Sequence, residues 1–274
     1  MLKIKITDAE FNKLVEFMHR EYGINLSQKR ILIEGRLNME LQKRGCKTYS
    51  DYLETVYKDR TGTEIVYLLN KLTTNHTYFM REPEHYDFMV KEFLPYITSL
   101  KRPRKYINMW SAGCSSGEEP YTNQMQMLEF LGSQAPLWDT TIYASDISDK
   151  VLTKAKEGIY HESSMKALPA TWKRKYFTDV GNECFQVKPE IRRKVNFRAF
   201  NLMKPIPKPA VPYDIIFCRN VMIYFDNPTK IDLVRRFYDV LAPGGYLFIG
   251  HAESIPRETT NYEYVKPAIY RKPL

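Results

Sequence analysis

The chain has 274 residues, 43% of them apolar, and its 41 Lys and Arg against 32 Asp and Glu give a formal net charge of +9. That length suits one large domain or two modest ones, each with a buried core. The 20 Tyr and 14 Phe residues exclude a disordered chain. No apolar stretch reaches the roughly 18–20 residues that span a bilayer, and the first residues, MLKIKITDAEF, lack the apolar segment of a signal peptide.

Cysteine and histidine residues are scattered along the chain. The five histidines form no HExxH motif, and the four cysteines form no CxxC pair: Cys46, Cys114, Cys184 and Cys218. This pattern is typical of a reduced compartment and argues against a disulfide scaffold or a zinc site. We therefore expect a soluble cytoplasmic protein that binds no metal.

The positive charge by itself leaves the partner open. A basic protein attracts nucleic acids and acidic proteins alike, because net charge governs encounter rather than chemistry. The acidic residues are spread through the chain, and no run of five or more like charges occurs. Composition therefore gives no ground for predicting a nucleic-acid partner.

Residues 1–90 show helical spacing throughout and predict a helical N-terminal domain. Thr7 and Glu10 form a capping box that opens the first helix. The second helix is predicted over 27–44 and ends at Gly45. Further helices are predicted from residue 50 and over 64–72.

A linker is predicted over 91–104, because the stretch at 100–105 is polar and contains Pro103. After it, short apolar runs alternate with helical patterns, which predicts a mostly parallel, doubly wound sheet over 105–274. Around Val180 to Asn182 a hairpin is predicted, within a small β-subdomain inserted over 172–196. The predicted strands cover 106–110, 141–144, 195–200, 213–218 and 246–249.

The first predicted strand runs into the small-residue loop SAGCSSG at 111–117. Ligands of open α/β sheets bind beyond the carboxyl ends of the strands, and small residues let a ligand approach the backbone. Only Gly113 and Gly117 are present, so the loop is not a G-x-G-x-x-G fingerprint, and no phosphate-binding lysine follows. Glu118 and Glu119 come next and could hold an ammonium group. Alternatively, Glu119 completes a capping box with Ser116.

Two further strand ends carry polar residues. Asp146 stands where an acidic side chain can accept hydrogen bonds from ribose hydroxyls. It could instead cap the following helix, or share the two tasks with Ser148. Arg219 and Asn220 follow another strand, ahead of an aromatic patch at 224–226. Sites for an ammonium group, a ribose and a flat base together suit S-adenosylmethionine.

Six stretches of the chain occur in the order seen in one known family. They are TTNHTYFMRE (73–82), WSAGCSSGEEPY (110–121), ASDI (144–147), NL (201–202), FCRNVMIYFD (217–226) and GYLFIGHAES (245–254). On these motifs the chain resembles the CheR-type chemotaxis receptor methyltransferases. Because the set spans nearly the whole chain, its order is more specific than any single motif.

The resemblance implies a class I S-adenosylmethionine methyltransferase, an α/β Rossmann-like fold with a small all-helical N-terminal domain and a β-hairpin insertion. It implies methylation of glutamate side chains on chemoreceptors, with S-adenosylhomocysteine as the product. Arg81 and Tyr224 would flank the transferred methyl group, and Glu119, or else Glu118, would take the cofactor's ammonium group. The residues implied in cofactor binding are Asn75, Thr77, Arg81, Ala112, Gly113, Glu118, Glu119, Asp146, Ile147, Asn201, Leu202, Arg219 and Asn220.

The chemistry of methyl transfer to a carboxylate agrees with these residue types. A glutamate carboxylate is already ionised at neutral pH, so no general base is required, only alignment and desolvation. Arg81 could orient the carboxylate through its planar guanidinium, and Tyr224 could steer it by its hydroxyl or ring edge. The plainer alternatives are a surface ion pair of Arg81 with Glu82 or Glu84, and simple packing of Tyr224.

The resemblance gives the positive charge a partner, the cytoplasmic helical domain of chemoreceptors, whose methylation sites lie on acidic helices. Lys29, Arg36 and Lys43 recur every seven residues and share one helix face, which predicts a docking strip or an ordinary solvated face. Some members of the family bind a tethering pentapeptide through a glycine-rich loop. Here the corresponding stretch, 176–187, has one glycine, which predicts activity without a tether. We also expect a monomer.

Two other functions remain open at this stage. One is a methyltransferase that acts on RNA or a small molecule, although the chain lacks an N-P-P-Y-type motif and an RNP-like aromatic strand. The other is a cofactor-binding adaptor that has lost turnover, because a fold does not establish activity.

Overall fold

The computed structural model describes residues 4–73, 76–101, 103–256 and 260–274, which form two compact units. The first unit comprises the chain up to His76 and the short segment Tyr224–Thr229. The second comprises Thr77–Ile223 and Lys230–Leu274. Across the described residues, none of the helices combines the length and apolar content needed to cross a membrane.

The first unit is helical, as predicted. Thr7 and Glu10 form the expected capping box, and Thr48 forms a second one with Asp51. Apolar side chains on the facing sides of the helices, such as Leu14 and Leu37, are fully buried. The helices are α1 (Asp8–Tyr22), α2 (Arg30–Lys43), α3 (Tyr49–Lys58) and α4 (Thr63–Leu72).

The segment Tyr224–Thr229 joins this helical unit although it is distant in sequence. Ile24 and Phe225 form an antiparallel bridge, and the backbone N–H of Asn25 donates to the carbonyl of Tyr224 at 2.8 Å. His19 Nε2 lies 2.8 Å from a carboxylate oxygen of Asp226.

The second unit contains the predicted doubly wound sheet. Its helices are α5 (Pro83–Phe88), α6 (Leu94–Leu100), α7 (Glu118–Leu131), α8 (Asp149–Glu157), α9 (Ala170–Tyr176), α10 (Pro189–Arg192) and α11 (Asn227–Val240), the last of which begins in the first unit. Its strands are β1 (Met109–Ala112), β2 (Ile142–Asp146), β3 (Ile159–His161), β4 (Phe177–Gly181), β5 (Cys184–Val187), β6 (Val195–Ala199), β7 (Tyr213–Cys218), β8 (Leu241–Ile249), β9 (Glu263–Lys266) and β10 (Ile269–Arg271).

The main sheet has the strand order β6-β2-β1-β7-β8-β10-β9. The five strands from β6 to β8 are parallel, and β10 runs antiparallel to both of its neighbours. The chain winds outward in one direction from β1 through β2 to β6, and in the other direction through β7 and β8. The switch point, where such sheets bind ligands, therefore lies between β1 and β7.

A second, antiparallel sheet has the order β3-β5-β4. Its β4–β5 hairpin is the predicted insertion, and it turns at Asn182 and Glu183, which both have positive φ. Strand β3 was not predicted, because three residues are too short to show a period-two pattern.

The predicted linker at 91–104 is wrong for most of its length. Helix α5, a π-helical turn at Met89–Phe93 and helix α6 follow one another without a break up to Leu100. Phe93, Leu94 and Ile97 are buried in the core of the second unit. The basic residues and Pro103 suggested a linker, but the apolar face of this helix anchors the segment, and the division between units falls at His76 instead of residue 90.

Candidate active site

The predicted strand ends meet at one edge of the main sheet in the second unit. The loop at 113–117 follows β1, Asp146 is the last residue of β2, and Arg219 follows β7. Strand β1 pairs with both of the other strands. Asn201 follows β6, where the N–H of Phe200 donates to the carbonyl of Asp146 at 2.9 Å. Residues from four separate parts of the sequence therefore line the switch-point edge.

The loop after β1 is fixed by the protein's own packing. The N–H groups of Gly113 and Cys114 both donate to the carbonyl of Ser145, at 2.7 and 2.9 Å. Gly113 has a φ of +81°, and a Cβ there would lie 2.4 Å from Cγ2 of Val221. Gly117 has a φ of +95°, and its Cβ would lie 2.9 Å from that of Ala155. Both glycines are thus required before any ligand is considered.

The start of α7 does not use the predicted capping box between Ser116 and Glu119. Gly117 is the N-cap residue and provides no side chain, while the hydroxyl of Ser116 donates to the carboxylate of Glu118 at 2.7 Å. Glu119 instead accepts from the hydroxyl of Ser111 at 2.7 Å and from Arg219. Its carboxylate therefore faces the ends of β1 and β7 instead of capping a helix.

Arg219 is the centre of the site, and its side chain is only 2% exposed. Its Nε and Nη2 donate to Oε2 of Glu82 at 3.3 and 3.1 Å, and Nη2 also donates to the carbonyl of Arg81. Its Nη1 donates to the hydroxyl of Tyr86 and to Oε2 of Glu119, both at 3.2 Å. A guanidinium has five N–H donors, so the protein itself satisfies all of them.

The Arg219 cluster, which we define as Arg219, Glu82 and Glu119, contains two carboxylates and one guanidinium. Burial raises the pKa of Glu119 above its ordinary value, against the opposing effect of Arg219. The pKa of Glu82 is lowered, because Arg219 and further hydrogen bonds outweigh its burial. With both carboxylates ionised the cluster has a net charge of −1, which suits a cationic ligand.

Asp146 is held by the backbone at the end of β2. Its Oδ2 accepts from the N–H of Ser115 at 2.8 Å, and its Oδ1 accepts from the N–H of Ser148 at 3.0 Å. Burial raises its pKa against these two bonds. Ser148 is the N-cap of α8, where its hydroxyl accepts from the N–H of Val151, so capping falls to Ser148 and the carboxylate of Asp146 stays at the sheet edge.

Glu253 was not singled out in the sequence, although it lies in the last of the six motifs. Its buried carboxylate accepts three backbone N–H bonds, from Asn220 and Ile223 at 3.0 Å each and from Gly250 at 2.6 Å. It therefore ties the turn after β7, where Asn220 has a φ of +60°, to the end of β8. Its position, an acidic residue shortly after the predicted strand at 246–249, is the sequence feature that could have identified it.

The remaining residues that were predicted to bind the cofactor differ in burial and in their contacts. Asn201 accepts from the N–H of Met203 at 2.9 Å, and Leu202 is buried beside it. Ala112 is buried at the end of β1, whereas Ile147 and Thr77 are half-buried. Asn75 lies outside the described residues.

The two predicted catalytic residues fall in different units. Arg81 belongs to the second unit, and its carbonyl is bound by Arg219. Tyr224 belongs to the first unit, where its carbonyl accepts from Asn25. Their placement on either side of a methyl group stays a prediction.

The predicted docking strip on α2 is only partly available. Lys29 and Lys43 are exposed. Arg36 donates through Nη1 to the carbonyls of Lys71 and Thr73, at 3.1 and 2.8 Å. It therefore caps the C-terminus of α4, which the seven-residue spacing could not reveal.

A doubly wound sheet of this strand order, with carboxylates gathered at its switch point, defines the class I S-adenosylmethionine-dependent methyltransferases. Family comparison agrees with this class: the CheR methyltransferase SAM-binding domain matches residues 75–270, and the CheR methyltransferase all-alpha domain matches residues 9–73. The chain therefore belongs to the CheR methyltransferase family, which confirms the resemblance seen in its motifs, and its cofactor is S-adenosylmethionine.

Curated relatives support the family over nearly the full length. A chemotaxis protein methyltransferase of Borreliella burgdorferi is 41% identical over 99% of this chain and 96% of its own length. Proteins of the same name from Klebsiella aerogenes and Escherichia coli are each 34% identical, over 98% and 92% of this chain and 91% and 86% of their own lengths. The net negative Arg219 cluster fits this cofactor, which carries a sulfonium and an ammonium group.

Proposed function

We propose that this protein methylates the side-chain carboxylates of glutamates in chemoreceptors, with S-adenosylmethionine as the methyl donor. The observation that carries the proposal is the Arg219 cluster, a group with more carboxylates than cations at the switch point of a CheR-family sheet. The names of the curated relatives support a chemotaxis substrate. The product would be a glutamyl methyl ester.

Cofactor binding would depend on carboxylates that the protein holds in place. Glu119 is 14% exposed, whereas Arg219 beneath it is 2% exposed. Arg219 would therefore position Glu119 and Glu82, and the exposed part of Glu119 would take the ammonium group. Asp146 would accept from the ribose hydroxyls with lone pairs that Ser115 and Ser148 leave unused, and Asn201 and Leu202 would border the adenine.

The methyl acceptor needs to be oriented and does not need to be deprotonated. A glutamate side chain is ionised at neutral pH, so the chain's part in the reaction is to align the acceptor oxygen and exclude water. Arg81 would pair with the acceptor carboxylate, and Tyr224 would limit its approach. The carbonyl of Arg81 is fixed by Arg219, which would restrict where its side chain can reach.

The receptor would dock on the outward face of α2. Lys29 and Lys43 would attract an acidic receptor helix, while Arg36 is committed to α4. Helix α2 also exposes Ile31 and Met39, at 83% and 66%, each four residues from Gly35. Lys43 follows Met39 at the same four-residue spacing, so this apolar row would give the receptor helix a packing surface that leads to a basic residue. We propose that the encounter takes place in the cytoplasm.

Activity would not require a peptide tether. Strand β4 is an edge strand with exposed residues, but the β4–β5 hairpin contains only one glycine, Gly181 at the end of β4. Calorimetry with a receptor C-terminal pentapeptide should show no binding in the nanomolar-to-micromolar range. Binding in that range would refute this part of the proposal.

The proposed reaction can be tested with tritium-labelled methyl donor and receptor-containing membranes from the source organism. Mild alkali should release the label from a membrane protein as methanol, because carboxyl methyl esters are alkali-labile. An Asp146→Asn variant should lose most of the label. Alkali-stable label, or label in RNA, would favour the alternative of a methyltransferase with another substrate, and absence of any transfer would favour a silent adaptor.

A further inference from the structure

We propose that Glu82, His85 and His251 form a binding site for a divalent transition-metal ion, best suited to Zn²⁺. The site shares Glu82 with the Arg219 cluster. None of the functions above requires such a site. The three residues come from the N-terminus of α5 and from the loop after β8. Glu82 and His251 belong to two separate motifs of the sequence, so no single motif indicates the site.

The geometry of the three side chains is close to that of a metal site. One ligand atom from each residue lies within 4.8 Å of the others. Nδ1 of His85 is 3.4 Å from Oε2 of Glu82, and the two imidazole rings are 4.7 Å apart between centroids. Ligand atoms around tetrahedral zinc lie roughly 3.3–3.5 Å apart, given metal–ligand bonds of about 2.0–2.2 Å. A contraction of up to about 1.5 Å would bring the three ligand atoms to the spacing of a tetrahedral site.

The strongest evidence for a ligand is the environment of the His85 ring. Its side chain is fully buried, yet neither ring nitrogen has a hydrogen-bond partner among the residues that the structure describes. Buried polar atoms without partners are rare in folded proteins, because each costs free energy that a ligand could recover. A neutral imidazole offers the lone pair of a ring nitrogen to a metal ion.

His251 provides access to the site from solvent, because it is exposed while His85 is not. Two imidazoles and one carboxylate are ligands that zinc and similar transition metals prefer, whereas Mg²⁺ and Ca²⁺ prefer oxygen ligands. The positive charge of the Arg219 guanidinium, which binds Oε2 of Glu82, would repel a metal ion. The carboxylates of Glu82 and Glu119 outnumber it, so the local charge still favours a cation.

Because Glu82 also binds Arg219, a metal ion on Glu82 would affect the cofactor site. A metal ion on Glu82 would compete with Arg219 for the same carboxylate oxygen. Since Arg219 also holds Glu119 and the carbonyl of Arg81, its release would disturb the residues proposed to bind the cofactor. The bound ion should therefore weaken cofactor binding and inhibit the enzyme.

The test uses the chelator-treated, full-length protein without cofactor, titrated with ZnCl₂ by calorimetry. One equivalent should bind in the micromolar range, and CoCl₂ should give the visible absorption of a tetrahedral site. The His251→Ala variant should bind at least tenfold more weakly. His161→Ala, which removes an exposed histidine from the small antiparallel sheet, is the matched control and should bind as the wild type does.

A second measurement follows S-adenosylhomocysteine binding with and without ZnCl₂. Zinc should weaken that binding severalfold in the wild type and in His161→Ala, but not in His251→Ala. The proposal is overturned if the wild type binds no zinc, if MgCl₂ binds equally well, or if His251→Ala leaves zinc binding unchanged. His85→Gln, checked for folding by circular dichroism, should also abolish the cobalt spectrum.

Discussion

Arg219 shows how a single buried residue can organise the carboxylates of a candidate site. The sequence predicted it as a cofactor residue, but protein acceptors satisfy all five of its N–H donors and its side chain is 2% exposed. Its geometry favours a positioning role, in which it orients Glu82 and Glu119 and its charge favours their ionised forms. A buried guanidinium that loses its carboxylate partners costs several kcal/mol of stability, about 3–5 kcal/mol in typical cases. We therefore expect Arg219 to hold Glu82 and Glu119 in fixed positions.

At the residue scale we predict that Glu119→Gln weakens S-adenosylmethionine binding about 10- to 100-fold, because a hydrogen bond to a charged group contributes about 1.5–3 kcal/mol. Glu118→Gln, whose carboxylate is occupied by Ser116, should change the affinity less than threefold. Calorimetry on both variants measures the difference. A larger loss in Glu118→Gln would reverse the assignment of the ammonium site.

At the element scale, the loop after β1 illustrates what local sequence can and cannot indicate. Its small residues predicted a tight turn, and the turn is present. The sequence could not show that Gly113 faces Val221 across the β7 turn, because that contact joins segments about a hundred residues apart. The helix over 83–100 gives the opposite case, where a locally polar end concealed an apolar face that packs into the core.

The contact between Gly113 and Val221 gives a prediction about this loop. Gly113→Ala should lower the free energy of unfolding by about 2–4 kcal/mol, because alanine is strained at a φ of +81° and its Cβ overlaps Cγ2 of Val221. In the Gly113→Ala/Val221→Ala double variant the overlap is gone, so the two changes should couple by at least about 1 kcal/mol. Urea unfolding of the four proteins measures the coupling, and strictly additive losses would contradict the predicted clash.

The outward face of α2 gives a second prediction at this scale. Arg36→Ala should destabilise the protein by about 1–2 kcal/mol, because two carbonyls at the end of α4 lose their donor. Lys43→Ala should change stability by less than about 0.5 kcal/mol, yet raise the KM for receptor. Thermal unfolding together with receptor methylation separates the two roles. A stable Arg36→Ala variant with a raised KM would instead restore Arg36 to the docking strip.

At the scale of the whole molecule, the net charge of +9 should act on substrate encounter and leave the buried site almost unaffected. Exposed charges are screened over about 8–10 Å at physiological salt, whereas the Arg219 cluster is buried. The basic residues of α2 are exposed and would meet an acidic partner directly. Salt should therefore distinguish docking from cofactor binding.

We predict that kcat/KM for receptor methylation falls severalfold when NaCl rises from about 20 to about 200 mM, while cofactor affinity changes less than twofold. A Lys29→Ala/Lys43→Ala variant should show a flatter salt dependence than the wild type. Steady-state kinetics with receptor-containing membranes provides the first quantity, and calorimetry provides the second. Equal salt sensitivity of the two would place the charge effect at the cofactor site.

The sequence by itself determined the alternation of helices and strands, the doubly wound sheet and the acidic residues at its strand ends, because these depend on local periodicity and short motifs. It also placed the chain in its family. Only the tertiary structure decided that Glu119 pairs with Arg219 instead of capping a helix, and that Arg36 caps α4. Glu82 and Arg219 are 137 positions apart, and His85 meets His251 across a still greater separation. Such contacts follow from how sheet edges and helix ends converge in space, so local pattern cannot predict which charges will meet.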